Sequence, residues 1–190
     1  MIHIIDNFID KDLFKIAEKY LKKGEFIKHT AGDKNFYIQE SPTSFDDYVL
    51  RKLGMIEGRP LENILSFFRV SNEDLDNKWR IHSDLNIDGK KPDRAAVLYM
   101  SNRKVESLHG TAFWEHDIYG KDLPPEITDE EYDRMLKADA EILEKWRLSS
   151  VIGYEENRLL SYPSSYFHSK FPNKGWSSGR KVFVMFYKFK

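Results

Sequence analysis

The sequence predicts a mainly β fold with flanking helices, and three observations indicate it. After residue 62, short runs rich in β-branched and aromatic residues alternate with turn residues, as in barrel-like β-sandwiches. The first 62 residues instead contain two amphipathic helical patterns. A third helical pattern interrupts the β-rich part near residues 121–147. We therefore expect a single domain over 1–190, in which residues 1–62 support a β core over 63–190 with a helical insertion.

Composition excludes several classes of protein. A chain of 190 residues can bury a substantial core, and its formal net charge of -1 gives no general attraction to nucleic acids or anionic membranes. The absence of cysteine excludes a disulfide framework and a thiol nucleophile. The N-terminus has neither a basic region nor a long apolar stretch, and no run is long enough to cross a membrane. We expect a cytoplasmic protein.

Helix signals occur twice in the N-terminal part. The first helix is predicted to begin at Asp10, a capping residue type, and to run to about Lys22. The second is predicted from Phe45 to Leu53, with Gly54 ending it. The first presents an apolar stripe, and we expect both helices to pack on one sheet.

Strand signals are short apolar or aromatic runs bounded by turn residues. The aromatic run from Tyr162 to Phe171 also has the texture of a strand. The remaining predicted strands lie at residues 2–5, within 26–39 around a turn at 31–33, and at 64–70, 78–86, 95–101, 110–119, 148–154, 158–162 and 180–189.

The insertion has its own start signal. Thr128-Asp129-Glu130-Glu131 has the form of a capping box, in which the first and last side chains bond each other's backbone N–H groups. The helix is predicted to run to about Trp146. Three roles stay open for it: packing on the sheet, a contact in a homodimer, or one wall of a substrate entrance.

His82 and Asp84 are the first candidate metal ligands. On a strand, residues two apart point to one face and lie roughly 7 Å apart, so both side chains can reach a single ion. A second imidazole, from His168 on a remote strand, would complete two histidines and one carboxylate. That set covers one face of an octahedral metal and leaves positions open, which suits Fe(II) chemistry with O2. Among six histidines one such pair is expected by chance, so the prediction depends on the residues that follow.

Arg180 strengthens the prediction. It follows His168 by twelve residues and opens an apolar run on which it shares a face with Val182, Val184 and Phe186. Burying a guanidinium is costly unless it meets an anion, and a carboxylate matches its planar fork. The alternative is an arginine at the rim whose charged end reaches water.

These motifs together resemble the 2-oxoglutarate/Fe(II)-dependent oxygenases, particularly the prolyl 4-hydroxylase-like branch. The resemblance extends from about Ile64 to Phe189 and rests on the order of the motifs along the chain. The motifs are Ile81-His82-Ser83-Asp84, Leu98-Tyr99-Met100-Ser101-Asn102, Gly110-Thr111-Ala112-Phe113-Trp114, Asn157-Arg158-Leu159-Leu160, His168 and Gly179-Arg180-Lys181-Val182.

The resemblance implies a fold, a site and an activity. The implied fold is a double-stranded β-helix, or jelly roll. His82, Asp84 and His168 would be the iron ligands, Arg180 would pair with the C5 carboxylate of the cosubstrate 2-oxoglutarate, and the Tyr99 hydroxyl would assist there. The implied reaction consumes O2 and 2-oxoglutarate, releases succinate and CO2, and hydroxylates a protein side chain, a peptide or an amino acid.

Several alternatives stay open. The substrate could instead be another small molecule or a nucleic acid, although the few lysines near the predicted site make a nucleic acid the less favoured choice. His109 and His116 could line the pocket, and His116 could be a ligand in a cupin-like site. A non-catalytic cupin-like binding module is the alternative outside the enzymes. His109-Gly110 stands where the family often has two glycines, and the insertion is not general to the family.

Overall fold

The computed structural model describes residues 1–31, 34–71, 77–87, 89–100, 109–174 and 179–190. Part of the predicted turn at 31–33 and the predicted Ser101-Asn102 motif lie outside these ranges. The described helices are α1 (Lys11–Lys23), α2 (Thr43–Glu57) and α3 (Asp129–Asp139). The described strands are β1 (His3–Ile5), β2 (Ile27–Ala31), β3 (Lys34–Glu40), β4 (Leu61–Ser71), β5 (Arg94–Tyr99), β6 (Gly110–His116), β7 (Trp146–Gly153), β8 (Leu159–Pro163), β9 (His168–Phe171) and β10 (Arg180–Phe189).

The strands form two antiparallel sheets. The larger sheet has the order β1-β8-β5-β10-β4-β3-β2, and the smaller has the order β7-β6-β9. Strands adjacent in space are mostly distant in sequence, because the chain passes repeatedly from one sheet to the other between β5 and β10. The predicted mainly β fold, a double-stranded β-helix with flanking helices, is confirmed.

Alternation along the central strands builds two core layers. On β10, Phe183 and Met185 face the cluster that includes residues of α1 and α2, whereas Val182 and Val184 face the cluster shared with the smaller sheet. Side chains on a strand point alternately to opposite faces, which produces this division. Every residue of β5 is buried, because both faces of the larger sheet are covered.

A third apolar cluster attaches the insertion to the smaller sheet. Met135 of α3 packs there with Trp114 of β6 and Trp146 of β7. The insertion thus lies against the face of the smaller sheet that points away from the larger one. Its predicted capping box is confirmed: the Thr128 hydroxyl accepts from the Glu131 N–H, and the Glu131 carboxylate accepts from the Thr128 N–H.

The predicted C-terminal ends of α2 and α3 were wrong. Helix α2 continues through Gly54 and ends before Gly58, whose φ of 69° lies in the left-handed region that favours glycine at helix ends. Helix α3 ends at Asp139, and Trp146 begins β7 instead of closing the helix. In the described parts of the chain, no helix combines the length and the apolar character needed to cross a membrane.

The predicted capping role of Asp10 was also wrong. Asp10 precedes α1, but its side chain caps no helical N–H group. Its carboxylate instead accepts a hydrogen bond of 2.7 Å from the Tyr48 hydroxyl. Because Tyr48 lies on α2, this bond joins the two N-terminal helices.

The segment at 78–86, predicted as a strand, forms no continuous ladder over the described residues 77–87. Arg80 interrupts it with a φ of 49°, in the left-handed region that a non-glycine residue seldom adopts. Only His82 makes a bridge to the smaller sheet, through paired backbone bonds with His168. The segment still delivers His82 and Asp84 to one place, but through a kinked loop.

Candidate metal centre and cosubstrate pocket

His82 and His168 are brought together by their own backbones. The His82 N–H donates to the His168 carbonyl at 3.1 Å, and the His168 N–H donates to the His82 carbonyl at 2.8 Å. Residues paired in this way have closely spaced Cα atoms, and the two imidazole centroids lie 4.5 Å apart. The first residue of β9 therefore meets the loop that carries the predicted His-x-Asp pair.

Asp84 completes the cluster. Its Oδ1 lies 3.8 Å from Nε2 of His82, and its Oδ2 lies 3.5 Å from Nε2 of His168. One ligand atom from each residue lies within 4.8 Å of the others. Asp84 is held there by its backbone N–H, which donates to the Ser164 carbonyl at 2.8 Å. The structure thus brings together the three residues that the sequence predicts as ligands.

The orientation of both imidazoles suits a metal. Nδ1 of His82 lies 2.7 Å from the Arg80 carbonyl, and Nδ1 of His168 lies 3.0 Å from the Tyr166 carbonyl. A carbonyl oxygen only accepts, so each Nδ1 is the donor, and each Nε2 is turned to the cluster, where its lone pair can bind a metal. Metal-binding histidines are commonly oriented in this way. Two imidazole nitrogens and one carboxylate, all turned to one point, fit a divalent non-haem iron.

Arg180 lies in the same pocket as the triad, at the first position of β10. The pocket lies between the sheets, and its wall includes Val182 and Val184 from the face predicted for this strand. Arg180 is 8% exposed, and it donates to the Thr111 hydroxyl at 3.1 Å. A buried guanidinium facing a pocket is suited to bind an anion. The predicted shared face is confirmed, whereas the cosubstrate role of Arg180 stays a prediction.

Tyr99 lies behind this arginine. The Arg180 guanidinium is 5.6 Å from the Tyr99 ring centroid, and the Tyr99 hydroxyl is 2.9 Å from Thr111 Oγ1. Tyr99 is fully buried and is not among the described residues that line the pocket. Burial raises the pKa of Tyr99, so the phenol stays protonated and can donate to Thr111. In this arrangement Thr111, and not Tyr99, presents a hydroxyl to the pocket beside Arg180.

Thr111 and Tyr162 are among the pocket residues that received no role from the sequence. Thr111 occurs in a quoted motif, but a threonine at the start of a strand carries no functional signal of its own. Tyr162 lines the pocket, with its ring centroid 4.7 Å from that of His168. Burial, and next the negative charge of Asp84, raise the pKa of Tyr162 well above its usual value. Tyr162 is therefore a protonated hydrogen-bond donor in the pocket. Its position in a predicted strand is the only sequence signal for this role.

His116 lies away from the pocket. Its side chain is fully buried, and Nε2 lies 3.1 Å from the Asp139 carboxylate at the end of α3. Nδ1 accepts from the backbone N–H groups of Ile118 and Tyr119, so Nε2 carries the proton. His116 thus fastens the insertion to β6. Among the described residues that line the pocket, neither His116 nor His109 appears, and none comes from 121–147.

Known sequences and known structures give different results. No family model matches the sequence, and no curated protein matches it. Solved structures do. HygX from Streptomyces hygroscopicus, with nickel, 2-oxoglutarate and hygromycin B bound, is 11% identical, with a TM-score of 0.65 over 100% of this chain and 83% of HygX.

Two further structures extend the similarity. SnoK, a non-heme alpha ketoglutarate dependent carbocyclase from nogalamycin biosynthesis, is 14% identical, with a TM-score of 0.68 over 98% of this chain and 78% of SnoK. A prolyl-4-hydroxylase from Pseudomonas putida is 13% identical, with a TM-score of 0.57 over 100% of this chain and 92% of its own. The chain has the fold of the 2-oxoglutarate/Fe(II)-dependent oxygenases.

Proposed function

We propose that this protein is an Fe(II)- and 2-oxoglutarate-dependent dioxygenase that hydroxylates a protein side chain, a peptide or an amino acid. One observation carries the proposal: two imidazoles and a carboxylate converge in the same pocket as a buried arginine. The first group suits Fe(II), and the second suits the far carboxylate of a dicarboxylic cosubstrate. The oxygenase fold supports both assignments.

Each residue then has a defined task. His82, Asp84 and His168 would hold the metal by one face and leave its other positions to ligands. With 2-oxoglutarate and O2, bound Fe(II) supplies the oxidising chemistry that couples release of succinate and CO2 to hydroxylation. Arg180 would fix the C5 carboxylate, and Thr111 would orient Arg180 and offer a hydroxyl beside it. Apolar Val182 and Val184 would exclude water from this end of the pocket.

The remaining wall bears on the substrate. Arg69, Arg80 and Lys170 also line the pocket. Arg69 is held by a bond of 2.9 Å from its Nε to Ser71 Oγ, and the Lys170 ammonium donates to a backbone carbonyl at 2.6 Å. Long cationic side chains on the wall favour a substrate with a carboxylate, as in a free amino acid or an acidic peptide.

A small-molecule substrate is the second candidate. The structures of HygX with hygromycin B and of SnoK from nogalamycin biosynthesis are similar to this chain over nearly its whole length. A screen for substrate-stimulated succinate formation separates the candidates if it includes acidic peptides, neutral peptides, amino acids and hygromycin B. Stimulation by peptides or amino acids alone supports the proposal, and stimulation by hygromycin B alone replaces it with the second candidate.

An anaerobic titration tests the site before any substrate is known. Apo-protein is titrated with Fe(II) and then with 2-oxoglutarate, and the visible charge-transfer band of the chelate is recorded. A saturable band supports the proposal. A folded protein that gives no band and takes up no Fe(II) contradicts it and supports a non-catalytic binding module.

Replacing Arg180 with methionine is expected to weaken 2-oxoglutarate binding at least about thirtyfold, because truncating a buried charged partner typically costs about 2 kcal/mol or more. Fe(II) affinity measured without the cosubstrate should not change, since Arg180 is not a ligand. Arg147→Met, which alters an arginine that is 78% exposed, is the control. Equal cosubstrate affinity in Arg180→Met and the wild type would remove Arg180 from the cosubstrate site.

Tyr99 and Thr111 can be separated in the same assay. Thr111→Val removes a hydroxyl that faces the pocket and accepts from Arg180, so we expect 2-oxoglutarate affinity to fall about tenfold. Tyr99→Phe removes a hydroxyl that bonds Thr111 Oγ1 and the Ile152 carbonyl behind the pocket wall, and we expect a loss below about fivefold. A loss in Tyr99→Phe as large as that in Arg180→Met would mean that the phenol reaches the cosubstrate itself.

A further inference from the structure

The insertion holds the backbone of the loop that carries the His-x-Asp pair. All six N–H groups of residues 79–84 have acceptors, and the insertion supplies four of them. The Glu141 carboxylate accepts from the first two, at 2.9 and 2.8 Å. The Ala140 carbonyl accepts from the third at 3.2 Å, and the Tyr132 hydroxyl accepts from the fifth at 2.8 Å. A strand would take these bonds from a neighbouring strand, and here the insertion replaces that neighbour.

Tyr132 forms hydrogen bonds with Ser83, the residue between the proposed ligands His82 and Asp84. Besides accepting from the Ser83 N–H, its hydroxyl donates to the Ser83 carbonyl at 2.7 Å and lies 3.1 Å from Ser83 Oγ. Both residues are buried, so no water replaces these bonds if the phenol is removed. Burial raises the pKa of Tyr132, and the hydroxyl stays a donor. The capping box at Thr128 fixes the first helical turn and therefore the position of this tyrosine.

Glu141 holds the backbone just before the His82–Asp84 pair. Its carboxylate binds the N–H groups of Trp79 and Arg80, where the chain adopts the left-handed conformation. That conformation costs about 1 kcal/mol or more outside glycine and must be held by surrounding bonds. The kinked Arg80 presents its carbonyl to Nδ1 of His82 at 2.7 Å, which sets the tautomer and direction of that imidazole.

We infer that the insertion is a clamp for the metal centre, with Tyr132 and Glu141 as positioning residues for Asp84 and His82. The inference rests on the proposed metal site and adds the segment that assembles it. It also gives the insertion a role other than a wall of the substrate entrance, since none of its residues lines the described pocket.

Metal affinity without cosubstrate or turnover tests the clamp. Co(II) binding to apo-protein is measured by competition with a chelating dye. Tyr132→Phe is expected to weaken binding about 10- to 100-fold, as loss of a partner that orients ligands typically does. Glu141→Gln is expected to weaken it less, because Glu141 is exposed and its bonds compete with water. Hydrogen exchange at residues 79–84 should accelerate in both variants.

Two controls distinguish positioning from general destabilisation. Tyr187→Phe removes another buried hydroxyl, which bonds Ser161 and Glu57 away from the metal centre, and should leave Co(II) affinity within about twofold of the wild type. Glu144→Gln is the control for Glu141→Gln. Wild-type affinity in Tyr132→Phe would overturn the clamp and leave the proposed function standing. A wild-type protein that binds no metal would overturn both.

Discussion

Replacing His168 with alanine is expected to abolish the charge-transfer band and to weaken Fe(II) binding by more than about a hundredfold. Loss of a residue that only orients a ligand already costs 10- to 100-fold, so loss of the ligand itself must exceed that. His82 and Asp84 alone would supply the metal with only two protein ligands, and water would occupy the remaining positions. Fe(II)-dependent succinate formation should fall below detection in the same variant.

His29→Ala is the matched control for His168→Ala. His29 is exposed on β2, and its imidazole packs against Phe36, away from the pocket. This variant should retain the band and the metal affinity of the wild type. If His168→Ala binds Fe(II) as the wild type does and keeps its secondary structure, the triad is not the metal site. His116, fully buried beside Asp139, would then be the next histidine to replace.

The fold could be predicted because its central strands follow local rules. Val182, Val184 and Phe186 face one layer and Phe183 and Met185 the other, so the period of two visible in the sequence is the period of the packed strand. Helix ends were less predictable. Gly54 lies inside α2, and its carbonyl accepts from the Arg59 N–H at 3.2 Å. The helix ends one turn later, at Gly58.

The candidate site was predictable in its residues but not in its supports. The combination of two histidines, an aspartate and an arginine in this order is more specific than any of its members, and these residues converge as expected. The kink at Arg80 is invisible in the sequence, because it depends on a carboxylate 61 residues away. Thr111 takes its place beside Arg180 through contacts between strands of different sheets, which no local pattern encodes.

The N-terminal part is joined to the β core by a buried ion pair. Arg94 of β5 and Glu57 of α2 are 2.9 Å apart, with side chains 8% and 9% exposed. Arg94 also donates to the hydroxyl and carbonyl of Ser161 on β8, and Tyr187 of β10 donates to Glu57. Helix α2 and strands β5, β8 and β10 therefore meet at one charged cluster, and we expect residues 1–62 and the core to unfold in one transition.

Glu57→Ala is expected to lower the free energy of unfolding by about 3–5 kcal/mol, because it leaves a buried guanidinium without its carboxylate. Adding Arg94→Met should recover much of this loss, since an apolar replacement of both partners also removes their desolvation cost. Glu62→Ala breaks an exposed pair with Lys188 and should cost less than about 1 kcal/mol. Urea denaturation of the apo-protein measures all three. A Glu57→Ala loss no larger than that of Glu62→Ala would mean that Ser161 satisfies Arg94, and two separate transitions would mean that the N-terminal part folds independently of the core.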